Sequence, residues 1–293
     1  MTEKWKEYYT EEQLRLLQKI EIDTLRVFID VCKKMDLEYF VYGGTLLGTV
    51  KYAGMIPWDD DIDVALPRKS YEKFVKHAEE FLPEGYFLQS PYNCSRSPYP
   101  YTKLRKDGTV YMEYINRNLK IATGIYIDIY PVDKIPDEDK LRKKQFKKVR
   151  KWILIYVIRQ SRLFDKKEKG LIGVAKNVIK RILHHLCKLL PQTYCIKKID
   201  HYMTMYDDTN AKRYAALNSP EYNNIYLSLY PFEKGLFDGI FVNLPKGYRV
   251  HLAMRYGDYE KELPPEKRFG HIPYKLDFGN IEEGKNKDEY DIQ

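Results

Sequence analysis

The sequence predicts a mixed α/β protein. Three observations carry that expectation: a long helical apolar period near the N-terminus, a series of short β-prone runs between residues 39 and 130, and a basic helical stretch after Pro136. At 293 residues the chain is long for one domain and short for two large ones. We therefore expect a catalytic core over 1–136, a basic helical segment over 137–210, and a C-terminal lobe over 211–293 that completes the site.

Thr10 opens a T-x-x-Q capping box, and Leu14, Leu17, Leu25, Phe28 and Cys32 recur at helical spacing, which predicts a helix over 11–35. Tyr39 to Tyr42 is a short strand that ends in a Gly43-Gly44 turn, with a short helix from Thr45 to Tyr52 behind it. Asp61 to Leu66 alternates, placing Asp61, Asp63 and Ala65 on one face and Ile62, Val64 and Leu66 on the other. A helix over 69–82 follows. Further strands are expected at 86–89, 101–105, 110–115 and 124–130, and helices beyond Pro136 are broken at Pro191 and resume over 194–206. The last seventy or so residues are rich in Tyr, Pro and Gly and predict shorter elements, with a polar tail over 282–293 that reads as frayed.

Composition narrows the function classes. No apolar run approaches the roughly 18–20 residues needed to cross a bilayer, and the first ten residues are too polar for a signal peptide. The cysteines Cys32, Cys94, Cys187 and Cys195 fit no zinc spacing and read as reduced thiols of a cytoplasmic protein. The net charge of +8 is uneven: residues 140–190 carry 17 Lys/Arg against two acids, so that window is +15 and the remainder is −7. The 27 tyrosines suit a site for sugars, bases or choline-like cations, and equally suit half-buried sheet positions.

The segment from Val41 to Arg68 carries the most chemistry. Four of the six residues from Trp58 to Asp63 are Asp, a crowding of like charge that costs stability unless cations neutralise it. Asp61 and Asp63, on one strand face, are candidate ligands for a hard cation, Mg²⁺ or Mn²⁺, shared with substrate phosphates. Gly43 and Gly44 allow backbone N–H groups to approach a phosphate. Together these are parts of a phosphoryl-transfer site. An acidic turn without a metal is the plainer alternative for the D-x-D alone.

Three stretches carry a resemblance to a known family: Gly43-Gly44-Thr45-Leu46-Leu47-Gly48, then Gly54-Met55-Ile56-Pro57-Trp58, then Asp59-Asp60-Asp61-Ile62-Asp63. They resemble the LicD family, which includes the fukutin-type transferases. Gly124 to Asp133 is similar to its second acidic strand, and Tyr256-Gly257-Asp258-Tyr259 with Leu263-Pro264-Pro265 to its C-terminal motif. The resemblance implies a nucleotidyltransferase-like fold. It also implies an enzyme that moves phosphocholine from CDP-choline, or a related CDP-alcohol, to a sugar hydroxyl. The implied acceptor is a lipid-linked precursor of a cell-surface glycan, of teichoic acid or lipopolysaccharide type. Lys51 stands where the family usually has Arg, so it offers a phosphate a point charge and no bidentate fork.

On these grounds Asp61 and Asp63 are expected as catalytic metal ligands and Asp128 as a third ligand or the general base. Gly43, Gly44, Thr45, Lys51, Lys103 and Arg105 are expected on the donor; the plainer reading of Lys103 and Arg105 is a solvated strand face. Asp59 is expected to bind metal or order Lys51, Asp60 to point away, Trp58 to pack, and His271 and Asp258 to play ordinary polar and turn roles. Residues 171–190 read as a basic amphipathic helix, suited either to an anionic membrane surface on the cytoplasmic side or to packing on the core. Two rival functions are a D-x-D glycosyltransferase using a nucleotide sugar, and a nucleic-acid-binding protein. The basic window fits the second in charge but holds few aromatics to stack bases.

Overall fold

The structure is a computed structural model that describes residues 3–161, 170–217, 225–268 and 270–281. Helix α1 (Glu11–Lys34) begins where the capping box places it. Thr10 Oγ1 accepts from Gln13 N at 3.1 Å, and Gln13 Oε1 accepts from Thr10 N at 3.0 Å. Leu14, Leu17, Leu25, Phe28 and Cys32 form its buried stripe. Strand β1 (Phe40–Val41) runs into α2 (Gly43–Tyr52), which starts two residues earlier than the spacing implies. Strand β2 (Asp63–Pro67) leads directly into α3 (Arg68–His77).

Strands β3 (Tyr86–Gln89), β4 (Thr102–Lys106), β5 (Val110–Glu113) and β6 (Tyr126–Ile135) complete the first half of the chain. The central sheet has the order β1-β2-β6-β4-β3. β2 and β6 run parallel, with Asp63 opposite Asp128, and the other neighbours in this path are antiparallel. The sheet is thus mixed, as expected. β6 runs five residues further than expected, to Ile135, and its far end pairs with β7 (Arg213–Ala215), which pairs with β8 (Ile225–Tyr226).

After β6 come α4 (Asp139–Gln160), α5 (Gly170–Lys188) and α6 (Gln192–Met203), with Pro191 as the residue that caps α6. The C-terminal segment adds the hairpin β9 (Glu233–Phe237) and β10 (Ile240–Leu244), then α7 (Tyr248–Tyr256) and β11 (Pro273–Asp277), which pairs with β5. The tail over 282–293 lies outside the described residues, as do the side chains of Leu171 and Ile172. No helix among the described residues is long and apolar enough to cross a membrane.

Three clusters of buried side chains hold the elements. The largest joins α1, the central sheet, α3 and the β9–β10 hairpin through residues such as Phe28, Val64, Phe74, Ile129 and Val242. A second packs α4 on α6 and the β7–β8 end of the sheet through Phe146, Val149, Ile196 and Ile199. A third, with Trp5, Leu17, Ile56, Trp58 and Ile125, seals the N-terminal segment over the loop before β2. Trp58 packs there, and the Arg268 guanidinium lies 4.5 Å from its ring centroid.

Candidate active site

The site forms where the loop Asp59–Ile62 enters β2, beside the N-terminus of α2 and the middle of β6. Asp61 precedes the strand, so the expected alternation does not position it; the loop does. Asp63 starts β2, its N–H donating to Thr45 Oγ1 at 2.8 Å, and Asp128 stands opposite it in register. Thr45 therefore fixes the strand to α2.

Gly43 and Gly44 are required for a different reason from the one expected. A Cβ built on Gly43 would lie 2.5 Å from Asp63 Oδ2, and one on Gly44 2.7 Å from Asp59 Oδ2. Gly43 also has φ of 56°, in the left-handed region that favours glycine. The two glycines thus let carboxylates lie against the start of a helix, where the macrodipole favours negative charge.

These carboxylates have too few partners. Asp63 Oδ1 and Glu21 Oε2 are buried and accept no hydrogen bond. Burial first, and then the charge of Asp61, holds both Asp59 and Asp63 well above the usual carboxylate range. Burial pushes Asp61 up to about 6, even though the charge of His271 pulls it down. Glu21, from the buried face of α1, is raised by burial and by the charges of Asp60, Asp61, Asp59 and Asp128. A set of oxygen donors that repel one another and leave two buried oxygens unpaired fits a hard divalent cation.

The grouping whose ligand atoms already converge is Asp60, Asp61 and His271, within 4.8 Å of one another. Asp60 is nearly saturated. Its Oδ2 accepts from the hydroxyls of Tyr9 and, at 2.9 Å, Tyr111, and its Oδ1 accepts from His271 N at 2.7 Å. His271 Nδ1 lies 3.3 Å from Asp60 Oδ1 and 3.6 Å from Asp61 Oδ2. The hydrogen bond to Asp60 and the charge of Asp61 raise the imidazole to about 11, so as it stands His271 is an imidazolium and serves as the cluster's own counter-ion.

The cations expected on the donor are placed differently. Lys103 is neither solvated nor open to a phosphate. It is fully buried, donates to Asp128 Oδ1 at 2.6 Å and lies 3.4 Å from the Tyr126 ring centroid. Arg105 is corrected more strongly. Its Nε donates to Gln89 Oε1 at 3.0 Å and its Nη1 to the Gly124 carbonyl at 2.6 Å, so it ties β4 to neighbouring chain with no exposed surface. Lys51 Nζ donates to the Lys261 carbonyl at 2.9 Å and lies 3.2 Å from Glu262 Oε1, which fastens α2 to the C-terminal segment. Among the cations, the one that sequence reasoning missed is Arg255 on α7. Its charge acts on Asp63, and its Nη1 donates to Tyr42 Oη at 3.4 Å. It directly precedes the Tyr256-Gly257-Asp258-Tyr259 motif, and that position was the available signal.

This geometry, with glycines under a run of aspartates and a parallel strand bearing another, lies within the span matched by the nucleotidyltransferase domain of the LicD/FKTN/FKRP family, residues 36–155. The chain carries a LicD-family domain. A lipopolysaccharide cholinephosphotransferase, LicD, of Haemophilus influenzae is 26% identical over 262 residues, which span 87% of this chain and 93% of that protein. An uncharacterized protein of Rickettsia prowazekii is 29% identical over 120 residues, 40% of this chain and 42% of its own. The LicD-domain match takes in Asp59, Asp60, Asp61, Asp63 and Asp128. Glu21, Arg255 and His271 enter the site from outside it.

Proposed function

We propose that this protein is a phosphotransferase that moves phosphocholine from CDP-choline to a sugar hydroxyl of a lipopolysaccharide- or teichoic acid-type glycan precursor. The similarity to a cholinephosphotransferase along most of both chains supports the enzyme class and the transferred group. The observation that carries the reaction type is the crowd of under-neutralised carboxylates around Asp61 and Asp63. A D-x-D glycosyltransferase and a nucleic-acid binder remain rivals only of the sequence pattern; neither accounts for the LicD-domain match.

Asp61 and Asp63 would hold Mg²⁺ or Mn²⁺, with Asp60 and His271 beside them, and the bound cation supplies charge neutralisation of the diphosphate. Arg255 faces the same charge from α7 and is the protein's own phosphate-facing cation. The acceptor's sugar oxygen attacks the phosphorus that bears choline. The bond from that phosphorus to the CMP oxygen breaks, and CMP leaves with the electron pair. The hydroxyl proton passes to Asp128, which is held in place by Lys103 and by the Tyr130 hydroxyl at 3.1 Å.

The acceptor is lipid-linked, and α5 supports a place for the enzyme at the cytoplasmic face of a membrane. This helix packs inward through Gly173 and His184, whose Nδ1–H donates to the Ile158 carbonyl at 2.8 Å. Its apolar stripe faces out: Val174, Val178, Ile179, Ile182, Leu183 and Leu186 are all exposed. That exposure favours the surface reading of residues 171–190 over packing of the stripe on the core. Exposed Lys176, Arg181 and Lys188 lie on the same helix and would meet anionic headgroups.

Release of CMP from CDP-choline in the presence of a glycan acceptor tests the reaction. Release is expected with Mg²⁺ or Mn²⁺ and not in EDTA; release of UDP or GDP from a nucleotide sugar would sink the reading. Co-sedimentation tests the membrane. Vesicles of anionic lipid should retain the protein, neutral ones should not, and Ile182→Asp with Leu186→Asp should abolish retention without unfolding it. Retention that survives both substitutions would refute the α5 assignment.

A further inference from the structure

Next to the carboxylate cluster lies a groove of about 470 Å³, within the size range of small-ligand sites. Tyr99, Tyr101, Tyr114 and Glu113 line it from the sheet side, Ile153 from α4, and His271 at the end that touches Asp60 and Asp61. One wall is therefore shared with the place where the donor's phosphates would lie, and the other walls are aromatic or aliphatic.

We propose that this groove seats the trimethylammonium head of the donor's choline and so selects a quaternary ammonium over a primary one. The inference rests on the transfer reading above and assigns its specificity. Charge is the first argument. Glu113 puts a carboxylate on the groove wall, and it shares one cation, Lys103, with Asp128: the ammonium lies 2.6 Å from Asp128 Oδ1 and 3.8 Å from Glu113 Oε2.

The walls make the second argument. A primary ammonium needs three hydrogen-bond acceptors. Glu113 Oε2 already accepts from the Tyr99 hydroxyl, so one of the two oxygens of the groove's carboxylate is engaged. A trimethylammonium asks for none and gains from ring faces and apolar contact. The rings here already attract cations: Lys103 Nζ lies 4.3 Å from the Tyr99 centroid and 5.4 Å from that of Tyr101, and the Arg117 guanidinium lies 3.6 Å from that of Tyr114. Position is the third argument. Choline's ethylene link keeps the nitrogen close to its phosphate, and His271 touches both the cluster and the groove.

The test compares CDP-choline with CDP-ethanolamine as donors, using KM from CMP release and equilibrium affinity by calorimetry. The wild-type protein is expected to prefer CDP-choline about tenfold. Tyr114→Ala and Glu113→Gln should each raise KM for CDP-choline several-fold and leave CDP-ethanolamine nearly unchanged, which collapses the preference. Tyr114→Phe, which keeps the ring, should retain it. Tyr114 is exposed and Gln can still accept from Tyr99, so unchanged thermal midpoints are expected for these variants. A wild-type protein that turns over CDP-choline without preference, or variants that keep the preference, overturn the groove assignment alone. A wild-type protein that releases CMP from neither donor overturns the transfer reading and the groove with it.

Discussion

Strand β6 carries two buried aspartates, Asp128 and Asp133, each paired with a buried cation but set among different neighbours. Asp133 is paired in full. Arg68 at the start of α3 donates Nε to its Oδ1 at 2.6 Å and Nη2 to its Oδ2 at 2.8 Å, and Nη1 approaches Asp200 on α6 at 3.5 Å. Tyr92 Oη adds a bond to Asp200 at 2.9 Å. Asp128, five positions earlier, joins a cluster in which Asp59, Asp61, Asp63 and Glu21 outnumber the cations and Asp63 keeps an unpaired oxygen. The first arrangement is a planar fork meeting a carboxylate, the geometry that makes a buried ion pair hold elements together. The second crowds like charges together, and in the proposed reaction a cation would neutralise them. Both aspartates hold a cation of their own; what differs is the crowd of carboxylates around Asp128, among which Asp63 Oδ1 has no hydrogen-bond partner.

The largest effect expected from this contrast is on activity. Asp61→Asn and Asp63→Asn should each lower CMP release on the order of 10²–10³-fold. They should also raise the thermal midpoint of the metal-free protein, because each removes a repelling charge. Near-normal turnover in either variant, measured with Mg²⁺ present, would break the comparison at its centre.

Arg68→Ala should do the reverse. It strands Asp133 as an uncompensated buried charge, at a cost of about 3–5 kcal/mol in urea unfolding. A cost under about 1 kcal/mol would mean that the fork contributes packing and little else. Metal then sharpens the distinction. Saturating Mg²⁺ should stabilise the wild-type protein by about 2–3 kcal/mol at a hundredfold excess over its Kd. The Asp61→Asn, Asp63→Asn double variant should show no such shift, while Arg68→Ala should keep it on a lower baseline. Equal shifts in all three proteins would place the metal elsewhere.

The contrast also marks how far the residues could be read in advance. The capping box at Thr10, the strand bearing Asp63 and the acidic strand around Asp128 are local patterns, and they formed as expected because each is dictated by neighbours in sequence. Glu21, Arg255 and His271 come from α1, α7 and the segment before β11. No local spacing could link them to Asp61. Arg105 shows a second limit: alternation gives the face of a strand, and it does not reveal that Gln89 and the Gly124 carbonyl wait on that face. For α5 the periodicity gave the stripe and not its direction, since a small, polar face through Gly173 and His184 packs inward and leaves the apolar one outside.

The smallest expected effect lies beside Asp133, at Asp207, and it tests whether charge crowding matters even at the well-paired end. Asp207 Oδ1 accepts from Lys134 N at 2.8 Å. Burial, and then the charge of Asp133, push this carboxyl up to about 7 from an ordinary value near 4. The sign follows from proton binding. Between about pH 4 and pH 7 the folded state holds a proton that the unfolded chain has released, so this group's contribution falls as pH rises through that window and is fully unfavourable above it. Asp207 is partly exposed, so solvent screening should reduce the effect to on the order of 1 kcal/mol. Asn can still accept from Lys134 and carries no charge. Asp207→Asn should therefore match the wild type near pH 4, exceed it in stability at pH 8, and flatten the profile between. Parallel profiles for the two proteins, measured by urea unfolding across that range, would show that neither burial nor the charge of Asp133 shifts Asp207.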